Sequence, residues 1–185
     1  MTTILWQRHD RAGMDVCTLA VSADGARLAG TVLTSLDERP AEVRYVVEAD
    51  AGWGTRRVRI GLSIGGERRA LTLEADGAGT WLRDGSPLPE AAGILDVDLE
   101  VTPATNTLPL RRLALTPGAS AAVTALWVRF PSLACERSDQ EYAALGGGGF
   151  VYRSGSFAAN LDVDADGLVT RYGSIWSTVA VTAVR

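Results

Sequence analysis

Tight-turn dipeptides set between alternating apolar and polar stretches constrain this chain more than any other feature. Asp-Gly occurs at Asp24-Gly25, Asp76-Gly77, Asp84-Gly85 and Asp166-Gly167, and Gly65-Gly66 separates Arg57–Ile64 from Arg68–Glu74. Such pairs accept the positive φ angles that short hairpin turns require. Strands follow over Asp15–Val21, Ala26–Leu36, Glu42–Ala49, Thr55–Ile64, Arg68–Ala75 and Thr80–Arg83. They continue over Leu95–Val101, Leu110–Leu115, Ala121–Phe130, Arg137–Ala144, Phe150–Arg153, Ser156–Val163, Leu168–Tyr172 and Trp176–Val184. No stretch has sustained helical periodicity with caps; a turn at Asp37–Ala41 is the one exception expected. Many short strands at this spacing predict an all-β sandwich, barrel or roll. Two strands narrow the choice. In Ala121–Phe130, Val123, Ala125 and Trp127 face one way while Leu126, Val128 and Phe130 face the other. Trp176–Val184 is likewise apolar on both faces, as a rolled sheet requires.

The chain has 185 residues, so one domain over 1–185 is expected. Its formal charge of −4 argues against a nucleic-acid partner, which usually demands a basic face. Lysine is absent and all 18 basic residues are Arg, a bias that abundant Ala and Gly trace to GC-rich coding. The apolar Ile4-Leu5-Trp6 is too short for a signal-peptide core, and no run approaches a membrane span. Cys17 and Cys135 lack metal or redox spacing. They read as free thiols in a reducing cytoplasm, and no cofactor is expected.

The stretch Asp96–Leu113 carries the most chemistry. Asp96, Asp98 and Glu100 alternate with Val97, Leu99 and Val101, which places three carboxylates on one face of a strand. Pro103 and Pro109 bracket Ala104–Leu108, which cannot pair as a central strand. If Leu110–Leu115 is a strand, the neighbours Arg111 and Arg112 point to opposite faces. One guanidinium then enters the core or a cavity and needs an anion, and Asp96 or Asp98 is the nearest supply. Thr105, Asn106 and Thr107 add neutral groups suited to hydroxyls. These seven residues, with Trp127 as an aromatic wall, form the candidate ligand site. The plainer alternative is a polar cluster that only pins the Pro-flanked crossover.

The same stretch resembles the signature of the bacterial Putative glycolipid-binding family. The likeness runs through Asp96-Val97-Asp98-Leu99, Thr102-Pro103, Thr105-Asn106-Thr107-Leu108-Pro109 and Arg111-Arg112-Leu113. Tyr45, Asp50, Trp53 and Arg56-Arg57 look like its upstream landmarks. Trp127 with Phe130-Pro131, Gln140 with Tyr142, Phe150–Arg153 and Asp164–Trp176 look like its downstream ones. The resemblance implies one long antiparallel sheet coiled into a spiral roll or incomplete barrel. It also implies a glycolipid or other amphiphile as partner, held without catalysis.

Three other readings were weighed. Asp162, Asp164, Asp166 and Gly167 fill positions 1, 3, 5 and 6 of a calcium loop, but position 12 is Gly173 and both flanks read as strands. A hairpin turn is the expectation there, and no metal. His9 is the sole histidine, so a zinc site or a histidine-based triad would lack parts. Asp96 and Asp98, roughly 6.5 Å apart along a strand, touch the spacing of inverting glycosidases. A hydrolase therefore stands as an alternative, beside a structural or interaction roll filled by its own side chains.

Overall fold

The computed structural model describes residues 1–183 and is built on one 15-stranded sheet. The amino-terminal half supplies β1 (Thr2–Arg8), β2 (Gly13–Ser22), β3 (Gly25–Leu36), β4 (Arg39–Asp50), β5 (Thr55–Ile64), β6 (Glu67–Ala75), β7 (Trp81–Arg83) and β8 (Ser86–Pro87). After β9 (Asp96–Leu99) and a helix α1 (Thr107–Leu113) come β10 (Ser120–Val128), β11 (Cys135–Gly146), β12 (Gly149–Ser154), β13 (Phe157–Val163), β14 (Val169–Tyr172) and β15 (Trp176–Ala183). Val184, the last residue of the expected strand, lies outside the described residues. The spatial order is β8-β7-β6-β5-β4-β3-β2-β1-β15-β14-β13-β12-β11-β10-β9. Neighbours are antiparallel except β9 and β10, which run parallel. Ile4-Leu5-Trp6, not anticipated as a strand, belongs to β1, which joins the two halves by pairing with both β2 and β15.

The sheet coils into a roll but does not close. Its β9 end meets β5, three strands in from the β8 end, where the Thr55 amide donates to the Leu95 carbonyl (2.8 Å) and the Val97 amide to Thr55 Oγ1 (3.1 Å). No continuous ladder joins β5 to β9. The period-two pattern sorts side chains across the sheet: Val43, Tyr45 and Val47 of β4 and Val58, Ile60 and Leu62 of β5 are all buried. The turns fall where the dipeptides predict, with Ala23-Asp24, Gly65-Gly66 and Asp84-Gly85 at hairpin tips.

One close approach explains a glycine inside a long strand. Gly30 of β3 pairs with Tyr45 of β4, and the tyrosine ring lies across it. A Cβ at Gly30 would sit 2.4 Å from the ring carbon and hydroxyl oxygen. That hydroxyl is tethered, donating to Asp15 Oδ2 at 2.9 Å, so it cannot swing aside freely. Gly30→Ala is expected to cost about 1–3 kcal/mol through overpacking, read by urea denaturation. No loss would mean that the ring moves without disturbing Asp15.

The expected strand Leu110–Leu115 is corrected to helix. A 3-10 turn over Ala104–Asn106 runs directly into α1. The two prolines were read as breaking pairing, which is right, but both also suit helix starts. Pro103 occupies the cap of the 3-10 turn, and Pro109 lies in the first turn of α1, where its missing N–H costs no hydrogen bond. Ala114, left-handed at φ 45°, ends the helix with its amide bonded to the Leu110 carbonyl. Arg111 and Arg112 therefore diverge as helical neighbours, not as opposite faces of a sheet. The helix sits inside the roll, with Leu110 packed in a cluster that includes Val123, Tyr142, Tyr152, Leu161 and Val169.

Candidate functional site

The parallel placement of β9 beside β10 sets Asp96 opposite Ala125 and Asp98 opposite Trp127. Their period-two spacing turns both carboxylates to one face, while Val97 and Leu99 enter the main core. The two acids then meet different partners. Asp96 is 1 % exposed and receives a fork from Arg112, Nε to Oδ1 at 3.2 Å and Nη2 to Oδ2 at 2.5 Å. Burial still pushes the Asp96 carboxyl above its usual range, against the pull of Arg112. The pair ties α1 to β9. Arg111 is exposed, stacks its guanidinium 4.8 Å over the Trp53 ring and reaches the Ala165 carbonyl at 3.4 Å.

Asp98 is half-buried at the bottom of a cleft. Gln140 Nε2 donates to its Oδ2 at 2.7 Å, and Thr105 Oγ1 lies 3.4 Å from Oδ1. Thr105 also accepts the Leu99 amide at 3.2 Å, which fixes its hydroxyl behind β9. Desolvation raises the Asp98 carboxyl to about 6, opposed by the Gln140 and Thr105 bonds. Asn106 continues the network: its Oδ1 accepts from the Tyr142 hydroxyl at 2.9 Å, and its Nδ2 donates to the Pro103 carbonyl at 3.1 Å.

The cleft encloses about 520 Å³ between the β9–α1 crossover, β10 to β12, β14, the start of β15 and the β1–β2 turn. Asp98, Glu100, Asn106, Ser138 and Ser154 give it polar groups. Five aromatic rings also line it: Trp127, Trp176, and a cluster of Tyr152, Phe157 and Tyr172. Phe157 and Tyr172 stack at 6.1 Å with 18° between their planes, and Tyr152 meets each of them within 6.1 Å. Arg8 and Arg11 also line it; Asp10 pairs with Arg8 by a fork (2.6 and 3.1 Å) and approaches Arg11 at 3.8 Å. Glu100 accepts the Phe130 amide at 2.7 Å and faces Arg129, whose guanidinium covers the Trp127 ring at 4.0 Å.

Of the eight candidates, the structure places Asp98, Asn106 and Trp127 on the cleft. Thr105 stands just behind Asp98, and Arg112 with Asp96 forms a structural clasp. Arg111 lies apart on Trp53, and Thr107 is wholly buried with its hydroxyl unpartnered. Because Asp96 is sealed against Arg112, only one acid of the suggested hydrolytic pair reaches the cleft. Arg8, Arg11 and Phe157 carry no signal in the sequence, whereas Tyr152, Tyr172 and Trp176 fall in the family-like landmarks Phe150–Arg153 and Asp164–Trp176 and, as aromatics, could equally be core or cavity wall. Most of their strands are remote in sequence and meet Asp98 only through the coiling of the sheet. In the calcium-like stretch, Asp164 Oδ1 accepts the amides of Asp166 and Leu168, and Asp166 Oδ2 accepts from Thr2. His9 is exposed, 2.7 Å from Ser177 Oγ.

A second buried carboxylate lies beyond the cleft wall. Asp15 is fully buried, and its Oδ2 accepts from Thr102 Oγ1 at 2.5 Å as well as from Tyr45. Its Oδ1 has no hydrogen-bond partner, and burial raises the carboxyl to about 7. Thr102 lines the cleft, so this group reaches the site through one hydroxyl.

Comparison with known proteins bears out the fold. None of the curated proteins matches the chain. A DUF1089 family protein from Pseudomonas aeruginosa superposes with a TM-score of 0.83 at 31 % identity, covering 92 % of this chain and 94 % of that one. A β-barrel-like protein of the DUF1849 family from Brucella abortus, 11 % identical, shares the fold with a TM-score of 0.54 over 97 % of this chain and 95 % of its own. Among the described residues no helix is long and apolar enough to cross a membrane. The profile described as Putative glycolipid-binding matches residues 3–178, and the chain belongs to that family.

Proposed function

We propose that this protein is a non-catalytic carrier or sensor that binds an amphiphile, of the glycolipid class its family is named for, in the cleft above Asp98. One observation carries the reading: a cleft of about 520 Å³ lies in the roll, lined by five aromatic rings and by polar groups that include Asp98, Asn106, Ser138 and Ser154. That combination is the usual form of a small-molecule site, in which apolar walls supply affinity and a few fixed polar groups supply orientation. Three residues of the family-like stretch and its downstream partners, Asp98, Asn106 and Trp127, line it. Phe157, 41 % exposed beside this cleft, is a large apolar side chain that a bound ligand would cover. The two free cysteines accord with a cytoplasmic setting, which belongs to the same proposal.

Native mass spectrometry of protein purified gently from its host is the test. A co-purifying lipid of defined mass, lost on Phe157→Ala or Trp127→Ala with the fold intact, is expected. Ligand-free protein under these conditions, together with no binding of added amphiphiles, would overturn the reading and favour a structural roll.

A further inference from the structure

Resting on that reading, we infer that the cleft takes the sugar ring of its ligand, as a neutral pyranoside, and leaves the acyl chain towards the opening. Asp98 and Asn106 have hydrogen-bonding capacity left over. A carboxylate offers about four acceptor positions, and Asp98 uses one at 2.7 Å and a second, weakly, at 3.4 Å. Asn106 has committed its carbonyl and one amide hydrogen, which leaves one N–H to give. An acceptor and a donor lining one cleft, joined through Gln140 and Tyr142, match the hydroxyls of a sugar ring, each of which both donates and accepts. A hydrocarbon chain placed there would leave that spare capacity unmet and cut off from water.

The walls agree. Sugar rings present C–H faces that lie flat on aromatic rings, and the nearly parallel Phe157 and Tyr172 offer such a plate. Ser138 and Ser154, bonded to each other at 3.1 Å, add hydroxyls on another side of the cleft. The charges argue for a neutral head. Arg8, Arg11 and Arg129 are matched in number by Asp10, Glu100 and Asp98, so no net positive charge is left for an anionic head, and the Asp98 carboxylate would repel a phosphate or sulfate.

Three soluble probes separate the cases: methyl pyranosides of glucose, galactose and mannose, octyl glucopyranoside, and octylphosphocholine, with both amphiphiles below micelle formation. Amide chemical shifts are followed by NMR. At least one methyl pyranoside is expected to shift the amides around Asp98, Asn106 and Phe157, with the octyl glycoside shifting the same set at higher affinity. Asp98→Asn should weaken the methyl pyranoside by about tenfold or more, the usual range for a hydrogen bond to a charged group. Phe157→Ala, at an exposed position where folding is safe, should weaken it as well. If both octyl compounds bind alike while every methyl pyranoside is silent, the cleft reads the chain; the amphiphile reading then stands and this inference fails. If neither amphiphile binds, both fail.

Discussion

Arg112→Ala should destabilise the protein by about 3 kcal/mol, whereas Arg111→Ala should cost less than about 1 kcal/mol. The neighbours are chemically identical, and their surroundings make the difference. Asp96 is 1 % exposed, and the Arg112 fork is the only cation bound to it among the described residues. Removing one partner of a buried pair leaves an uncompensated charge, a loss of roughly 3–5 kcal/mol. The lower end applies because the Arg112 side chain keeps 23 % of its exposure, and water can partly replace it. The carboxyl can also protonate, since burial already raises it. Arg111 loses only a solvent-facing stack on Trp53, worth roughly 0.5–1 kcal/mol. Arg112→Lys should fall between, because an ammonium cannot reproduce the bidentate fork. Urea denaturation of the three variants decides the matter. Equal small losses for Arg111→Ala and Arg112→Ala would mean that the clasp contributes nothing to stability.

The contrast between those arginines also shows what the sequence made legible. The expected Arg–Asp pair is present, but not for the reason given by a strand with its arginines on opposite faces: helix α1 turns Arg112 to Asp96. The element that turns it was not foreseeable from period alone. Leu110–Leu115 is too short to display 3.6-residue periodicity, and its helix is fixed by Pro103, Pro109 and packing of Leu110 inside the roll. The hairpins were plain because Asp-Gly and Gly-Gly turns are local chemistry. β1 was missed because Thr2–Arg8 has no turn dipeptide before it and earns its place by pairing with β15 at the far end of the chain. The cleft suffers from the same limit. Asp98, Asn106 and Trp127 were legible because they cluster in the family-like stretch and its partner strand. Arg8, Tyr152, Tyr172 and Trp176 reach the cleft only through long-range sheet order.

Stability should fall as pH rises from 5 to 8, by about 4 kcal/mol, with Asp15 supplying about two thirds of the loss. Asp15 is fully buried between β2, β4 and the crossover, and its bonds come from the neutral hydroxyls of Tyr45 and Thr102. Burial raises its carboxyl from 3.8 to about 7. Below pH 4 the carboxyl is protonated in both folded and unfolded chains, and its contribution is complete. Between the two values the unfolded chain gives up its proton while the folded one keeps it. Stability is therefore lost steadily as pH climbs towards 7, at up to 1.36 kcal/mol per pH unit. Asp98, raised to about 6, adds a smaller loss of the same sign that ends sooner. Exposed carboxyls held low by an arginine, such as Asp10 beside Arg8, act in the opposite direction but only below about pH 4. Asp15→Asn should flatten most of the slope, leaving the part due to Asp98, and Asp98→Asn should remove that remainder. Urea denaturation midpoints across pH 5 to 8 measure it. A wild-type curve that is level or rises over this window would show that Asp15 is ionised in the fold at an ordinary carboxylate pKa. Some group would then have to satisfy its Oδ1, and Thr102, which joins Asp15 to the cleft wall, would hydrogen-bond a charge throughout.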